Sequence, residues 1–302
     1  MESSHLSYLG LPNCVRLTND RYELVLTTDV GPRILRYAPI GGSNVLGEVP
    51  EDRVATPLGD WKPWGGHRLW AAPERMPESY APDDVPLERV EAQRLSVELI
   101  ERIHPATKLQ KRLRVTLDRE ASAVTIEHRI TNQADADVTI AAWALTIMRG
   151  GGEALLPQEP FASHPEHLLP ARPMAVWPFT DMSDPRFTFG RRLIRVRTDD
   201  LRATPQKIGI GNKQGWAAYH VGNVLFVKRF AHHEGGAYPD YGCNTEVFTA
   251  GSFIEVESLS PLRRLPPGSS VDHEERWSLV ESVDPVLDGD DVAALDVARK
   301  QR

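Results

Sequence analysis

Glu246 stands in the stretch YGCNTEVF, a carboxylate inside a run that otherwise reads as a buried β-strand. On extended backbone it shares a face with Asn244 and Phe248, while Cys243, Thr245 and Val247 point the other way. A glutamate so placed either does acid–base work in a pocket or lies on a wet face of a sheet. Glu255 and Glu257 follow on the next apolar run, on one face with Phe253 and Leu259. Two carboxylates at that spacing repel if both are buried and ionised, so structural pairing with arginine, or solvation, is the simpler expectation for them.

The densest chemistry lies in WKPWGGHRLWAAPE, from Trp61 to Glu74. Trp61, Trp64 and Trp70 offer flat faces to the apolar side of a sugar ring. His67 and Arg68 can donate to hydroxyls, and the glycine pair Gly65–Gly66 lets backbone approach a ligand. The plainer alternative is a loop pinned by buried tryptophans, with His67 and Arg68 satisfying carbonyls. His232 and His233 are adjacent, so on an extended segment their side chains diverge, and a turn is needed before both reach one metal. RGGGE at 149–153 lacks the Gly-Lys-Ser/Thr ending of a phosphate loop, and the sequence holds no GxSxG, HExxH or dinucleotide fingerprint.

These residues need a frame, and the frame reads as β. Leu109, Lys111, Leu113, Val115 and Leu117 form one row of period two, and Val124, Ile126, His128 and Ile130 form the next. VTIAAWALTIM, 138–148, is apolar almost throughout, as expected of a strand buried on both faces. Further strands are expected at 22–27, 33–37, 94–102, 191–197, 215–221, 224–229, 244–249, 253–259 and 274–279, separated by Gly- and Pro-containing turns. One helix is expected, over 290–300, with acids early and bases late. An unbroken series of strands predicts one all-β domain over 1–302, a large antiparallel β-sandwich with few short helices. The Pro-rich stretches 61–86 and 157–185 read as irregular loops and as candidate pocket walls.

Composition narrows the function classes. Among 302 residues the formal net charge is −7, which gives no electrostatic footprint for nucleic acid or an anionic membrane. No apolar run is long enough to span a bilayer. The opening MESSHLSYLG lacks the pattern of a signal peptide, and Cys14 and Cys243 alone make no disulfide or zinc framework. A cytoplasmic protein is the expectation.

The order of features resembles the aldose 1-epimerases (galactose mutarotases). LTNDRYELVLTTDVGPRILRYAPIGGSNVLGE is similar to their opening hairpin, TNQADADVTIAAWALTIM to their central turn and strand, and YPDYGCNTEVFTAGSF with SPLRRLPPGSS to their closing pattern. GGHRLWAAPE, taken with YPDYGCNTEVFT and EVESLSPL, is similar to a bacterial DUF4380-type family related to that superfamily.

The resemblance implies a galactose-mutarotase-like supersandwich with a concave sugar-binding face. It implies Glu246 as the base that takes the anomeric proton, with an acid to protonate the ring oxygen. The epimerases keep a histidine at the end of the strand matching 138–148; here that place reads Trp143-Ala144-Leu145-Thr146-Ile147-Met148. His67 is then the expected acid, with His232 or His233 as substitutes. Arg68, Asp240 and either Lys228 or Arg229 would hold the sugar's hydroxyls or an anionic substituent, and Trp64 or Trp70 would stack on the ring.

Three functions compete on this basis: an isomerase at the anomeric centre, a non-catalytic carbohydrate-binding or sensing protein, and a metal-dependent enzyme using His67, His232 or His233, and Glu246. The first two expect a small carbohydrate ligand and no cofactor. Nucleic-acid and membrane partners are not expected, and the oligomeric state is open.

Overall fold

The computed structural model describes residues 4–283; the helix expected over 290–300 lies outside them. Strands dominate. The helical pieces among the described residues are a 3₁₀ turn at Glu78–Tyr80 and a short turn at Pro239–Gly242.

An eleven-stranded sheet carries, side by side, Arg33–Pro39, His67–Ala72, Val138–Met148, Phe253–Leu259, Thr245–Ala250 and Gln206–Ile210. A ten-stranded sheet carries Leu109–Leu117, Val124–Asn132, Ser270–Glu281, Val224–Phe230 and Trp216–Val221. The core lies between them. Leu113, Val115 and Leu117 join Val124, Ile126 and Ile130 from one sheet, and Leu24, Leu26, Tyr37 and Val256 from the other. The period-two rows read from the sequence are therefore the inward rows.

Val138–Met148 explains why a site forms where it does. Ile140, Ala142 and Met148 belong to the core between the sheets, whereas Ala141, Trp143 and Leu145 form a second cluster on the opposite face with Trp61 and Trp70. That outer face is roofed by loops and by the small hairpin of Val54–Thr56 and Gly59–Trp61.

One expectation is overturned here. The stretch 61–86 is not irregular throughout: His67–Ala72 is a central strand, paired with Arg33–Pro39 on one side and Val138–Met148 on the other. Its Pro-rich flanks hid the strand. Among the described residues no helix is long and apolar enough to cross a membrane.

Candidate functional site

Strand register carries one row of side chains across the eleven-stranded sheet. Arg68 is opposite Leu145, Leu145 opposite Glu257, Glu257 opposite Glu246, and Glu246 opposite Gly209. Opposed residues share a face, so Arg68, Glu257 and Glu246 all point outward. Gly209 makes room for the Glu246 side chain, because a Cβ there would stand 3.3 Å from Glu246 Cγ. Glu246 lies behind Lys207, and Arg68, Leu145 and Glu257 of this row, with Lys207 beside them, form the floor of a cleft of about 720 Å³. Its walls are Trp61 and Tyr80 from the stretch 61–86, Trp177 and Phe179 from the stretch 157–185, and Trp70, Trp143 and Phe248 from the sheet. Both long stretches thus serve as walls, as their composition suggested.

Charges on the floor are paired and stacked. Arg68 Nη1 donates to Glu255 Oε1 at 2.7 Å, and its guanidinium lies 5.1 Å and 4.4 Å from the rings of Trp61 and Trp70. Lys207 Nζ lies 2.7 Å from Glu246 Oε2 and 3.2 Å from Glu257 Oε2, with Trp143 and Trp177 at 4.6 Å and 4.7 Å. Cation–π contacts of this kind contribute about 0.5–2 kcal/mol each. Trp143 Nε1 also donates to Glu257 Oε2 at 2.8 Å. Glu257 Oε1, Glu246 Oε1 and Arg68 Nε, all buried, have no hydrogen-bond partner among the described residues.

One ammonium serves two buried carboxyls, and the electrostatics follow. Burial, reinforced by the charges of Glu257 and Asp240, raises Glu246 well above the usual carboxylate range, with Lys207 acting against it. Burial and then Glu255 raise Glu257, with Lys207 and the Trp143 hydrogen bond opposing. Burial alone would lower Lys207, but Glu246 and Glu257 outweigh it and hold the ammonium above its ordinary value. The cluster therefore keeps a fixed cation beside two carboxyls that both hold their protons more tightly than an exposed glutamate does.

The other face of the same strands holds a second polar cluster, sealed between the sheets. His67 is opposite Thr146 and points inward. His128 Nδ1 donates to the His273 carbonyl at 3.0 Å, so its Nε2 accepts from His67 Nε2 at 2.7 Å. His67 Nδ1 then accepts from Thr146 Oγ1 at 2.9 Å, and Lys228 Nζ donates to that hydroxyl at 2.8 Å. His273 Nε2 meets Ser258 Oγ at 2.6 Å, and Ser258 donates to Glu275 Oε1 at 2.5 Å. Lys228 Nζ sits 2.8 Å from Glu275 Oε1, and Trp277 Nε1 donates to Oε2 at 2.8 Å.

One ligand atom each of His67, His128 and Glu275 lies within 4.8 Å of the others, a set with metal-ligand chemistry. The hydrogen bonds nonetheless close without an ion, and Lys228 already supplies the positive charge that Glu275 needs. Burial lowers His67 well below the ordinary histidine range and takes His273 to about 3, so these rings are neutral.

The expected site residues thus divide into two groups. Arg68 and Trp70 line the cleft, Asp240 stands at its edge beside Lys207, Trp143, Trp177 and Glu74, and Glu246 is joined to the cleft through Lys207. Four others are elsewhere. His67 is fully buried on the inward face, so it does not stand across a cleft from Glu246, and a neutral, enclosed imidazole is no proton donor to a ligand there. Lys228 is fully buried in the inner cluster. Arg229, next along, alternates to the outward face of the ten-stranded sheet. Trp64 packs on the cluster of Leu11, Cys14 and Leu35, its Nε1 donating to Asp84.

The proposed metal set does not converge either, because His67 and Glu246 lie on opposite faces of one sheet. His232 stacks on Tyr238, and His233 is exposed. The glycine pair approaches protein rather than ligand, as a Cβ on Gly66 would lie 2.0 Å from the Ile34 carbonyl oxygen. Sequence reasoning missed Lys207, Trp143 and Trp177 and took Glu257 for a structural ion pair. Lysine within the short QKIGI segment carries no periodic signal, since all five of its residues are buried.

No protein-family model matches the chain, and no curated protein sequence matches it significantly. Solved structures do. The chain is similar to a galactose mutarotase-like protein from Lactobacillus casei, with 11% identity and a TM-score of 0.55 over 89% of this chain and 100% of that one. It is similar to a galactose mutarotase-like protein from Clostridium acetobutylicum, with 9% identity and a TM-score of 0.52 over 92% and 98%. A candidate aldose 1-epimerase from Klebsiella pneumoniae gives 12% identity and a TM-score of 0.57 over 93% and 81%. Identities this low speak for the fold, which is galactose mutarotase-like.

Proposed function

We propose that the protein is carbohydrate-active, binding a sugar or sugar derivative in the outer cleft and moving protons at its anomeric centre, as an aldose 1-epimerase-like isomerase does. The observation that carries this reading is the Lys207 cluster. Glu257 and Lys207 lie on the floor of a tryptophan-walled cleft, with Glu246 holding the same ammonium from behind, which sets a carboxyl and a cation under a stacking surface. The fold shared with galactose mutarotase-like proteins supports the ligand class. Kinship with the DUF4380-type family rests on the quoted motifs alone.

Exchange NMR between the α and β anomers of aldohexoses and aldopentoses tests the reading. Acceleration over buffer by the wild type is expected for at least one sugar, and none for any sugar ends it. A second reading, binding without turnover, draws on the complete burial of Glu246. It expects calorimetric binding that survives Glu246→Gln with no anomer exchange.

A further inference from the structure

We propose that Glu257, rather than Glu246, is the residue that moves the proton, and that Glu246 is a positioning residue acting through Lys207. This inference rests on the anomeric-centre reading above.

Three observations support it. Glu257 and Lys207 line the cleft, whereas Glu246 lies one strand further on, behind Lys207. Glu257 Oε2 is held by Lys207 and Trp143, which leaves Oε1 with no hydrogen-bond partner among the described residues; Glu246 Oε1 has none either, but of the two carboxyls Glu257 is the one that lines the cleft. Glu246 Oε2 lies 2.7 Å from Lys207 Nζ, so the second carboxyl holds the ammonium in place beside the first. Directly opposed side chains on antiparallel strands stand about 4.5–5.5 Å apart at Cβ, close enough for one cation to bridge them.

The chemistry then needs no histidine on the far side. Glu257 carboxylate takes the proton of the anomeric hydroxyl. The O–H electron pair becomes the carbonyl π bond as the bond from the anomeric carbon to the ring oxygen breaks, and that bond's electron pair goes to the ring oxygen. The ring oxygen then takes the same proton back from Glu257. Both oxygens sit on one carbon, so a single carboxylate reaches them in turn. Rotation and the reverse steps give the other anomer. Lys207 stabilises the charge that develops on the ring oxygen. The charged groups facing Glu257 are Lys207, Glu246, Glu255 and Arg68, with Glu74 and Asp240 at the cleft's edge.

The test compares Glu257→Gln and Glu246→Gln in the full chain, with galactose, glucose and mannose as probes. Expected is a fall in kcat of about 10²–10⁴-fold for Glu257→Gln. Glu246→Gln should stay within about tenfold and leave the acid limb of the pH–rate profile in place, since a neutral Glu246 already leaves Lys207 to act on Glu257. Loss of activity in Glu246→Gln equal to that in Glu257→Gln would overturn the assignment and leave the anomeric reading standing. A wild type inert on every sugar overturns both.

Infrared spectroscopy gives a readout without any sugar. A protonated buried carboxyl should be visible near neutral pH in the wild type and in Glu257→Gln, and be lost in Glu246→Gln. The reverse pattern rejects the proposal. Circular dichroism checks folding, and Glu257→Asp, which keeps the charge but withdraws the oxygen, replaces Glu257→Gln if that variant does not fold.

Discussion

Lys207 is the residue on which the cleft's electrostatics turn. Its ammonium lies within 3.2 Å of two fully buried carboxyls and over two indole rings. Removing one partner of a buried ion pair leaves the other uncompensated, at a cost of about 3–5 kcal/mol. Lys207→Met should therefore lose about that much stability near neutral pH, read from urea unfolding. The sign with pH follows from the raised folded values of Glu246 and Glu257, which Lys207→Met raises further. Below the ordinary glutamate value of 4.5 both carboxyls are neutral folded and unfolded, so the deficit should shrink there and grow as pH rises. A deficit independent of pH would assign the loss to packing on Trp143 and Trp177 instead.

Strand geometry decides which face each of these groups occupies. Gly209 lies across from Glu246, and a Cβ there would stand 3.0 Å from Cys243 Sγ and 3.3 Å from Glu246 Cγ. Gly209→Ala should cost about 1 kcal/mol, the low end of overpacking, yet push the Glu246 carboxyl off Lys207 and lower anomer exchange. Gly66 has φ +62°, and its Cβ would meet the Ile34 carbonyl at 2.0 Å, so Gly66→Ala should cost on the order of 3 kcal/mol. Thermal unfolding of the two variants checks the order. Period-two rows made most inward faces legible from sequence, including His128 on Val124–Asn132, and the Glu246 strand was read within one residue. The strand of His67 was hidden because prolines and glycines flank it, and reading it as a loop placed His67 and Arg68 together when alternation sends them to opposite faces. Pairing across strands is a long-range fact, so the union of Lys207, Glu246 and Glu257 could not be read from any one segment.

Between the two sheets, acid stability is set by a cluster that no ligand reaches. His67, His128 and His273 are buried, and burial holds all three below the ordinary histidine value, His273 moving from 6.5 to about 3. Glu275, despite its burial, is held below the usual carboxylate range by Lys228. The unfolded chain binds protons at its histidines as pH falls through about 6.5, while the folded chain does not, so stability rises with pH across that window. The contribution is complete above the unfolded value and is lost as pH falls toward the folded one. A shift as large as that of His273 corresponds to about 5 kcal/mol. Glu275 extends the loss to lower pH, since it too must be protonated before its pairing with Lys228 is given up. The urea midpoint should thus fall steadily from about pH 6.5 downward, well before the exposed carboxylates titrate. His273→Gln, whose amide can still donate to Ser258, should flatten that decline even if it lowers the midpoint at neutral pH. A midpoint constant from neutral pH to about pH 4 would mean that the rings take up protons in the folded core over the same range as in the unfolded chain. That result would require a different arrangement of protons along His67, His128 and His273.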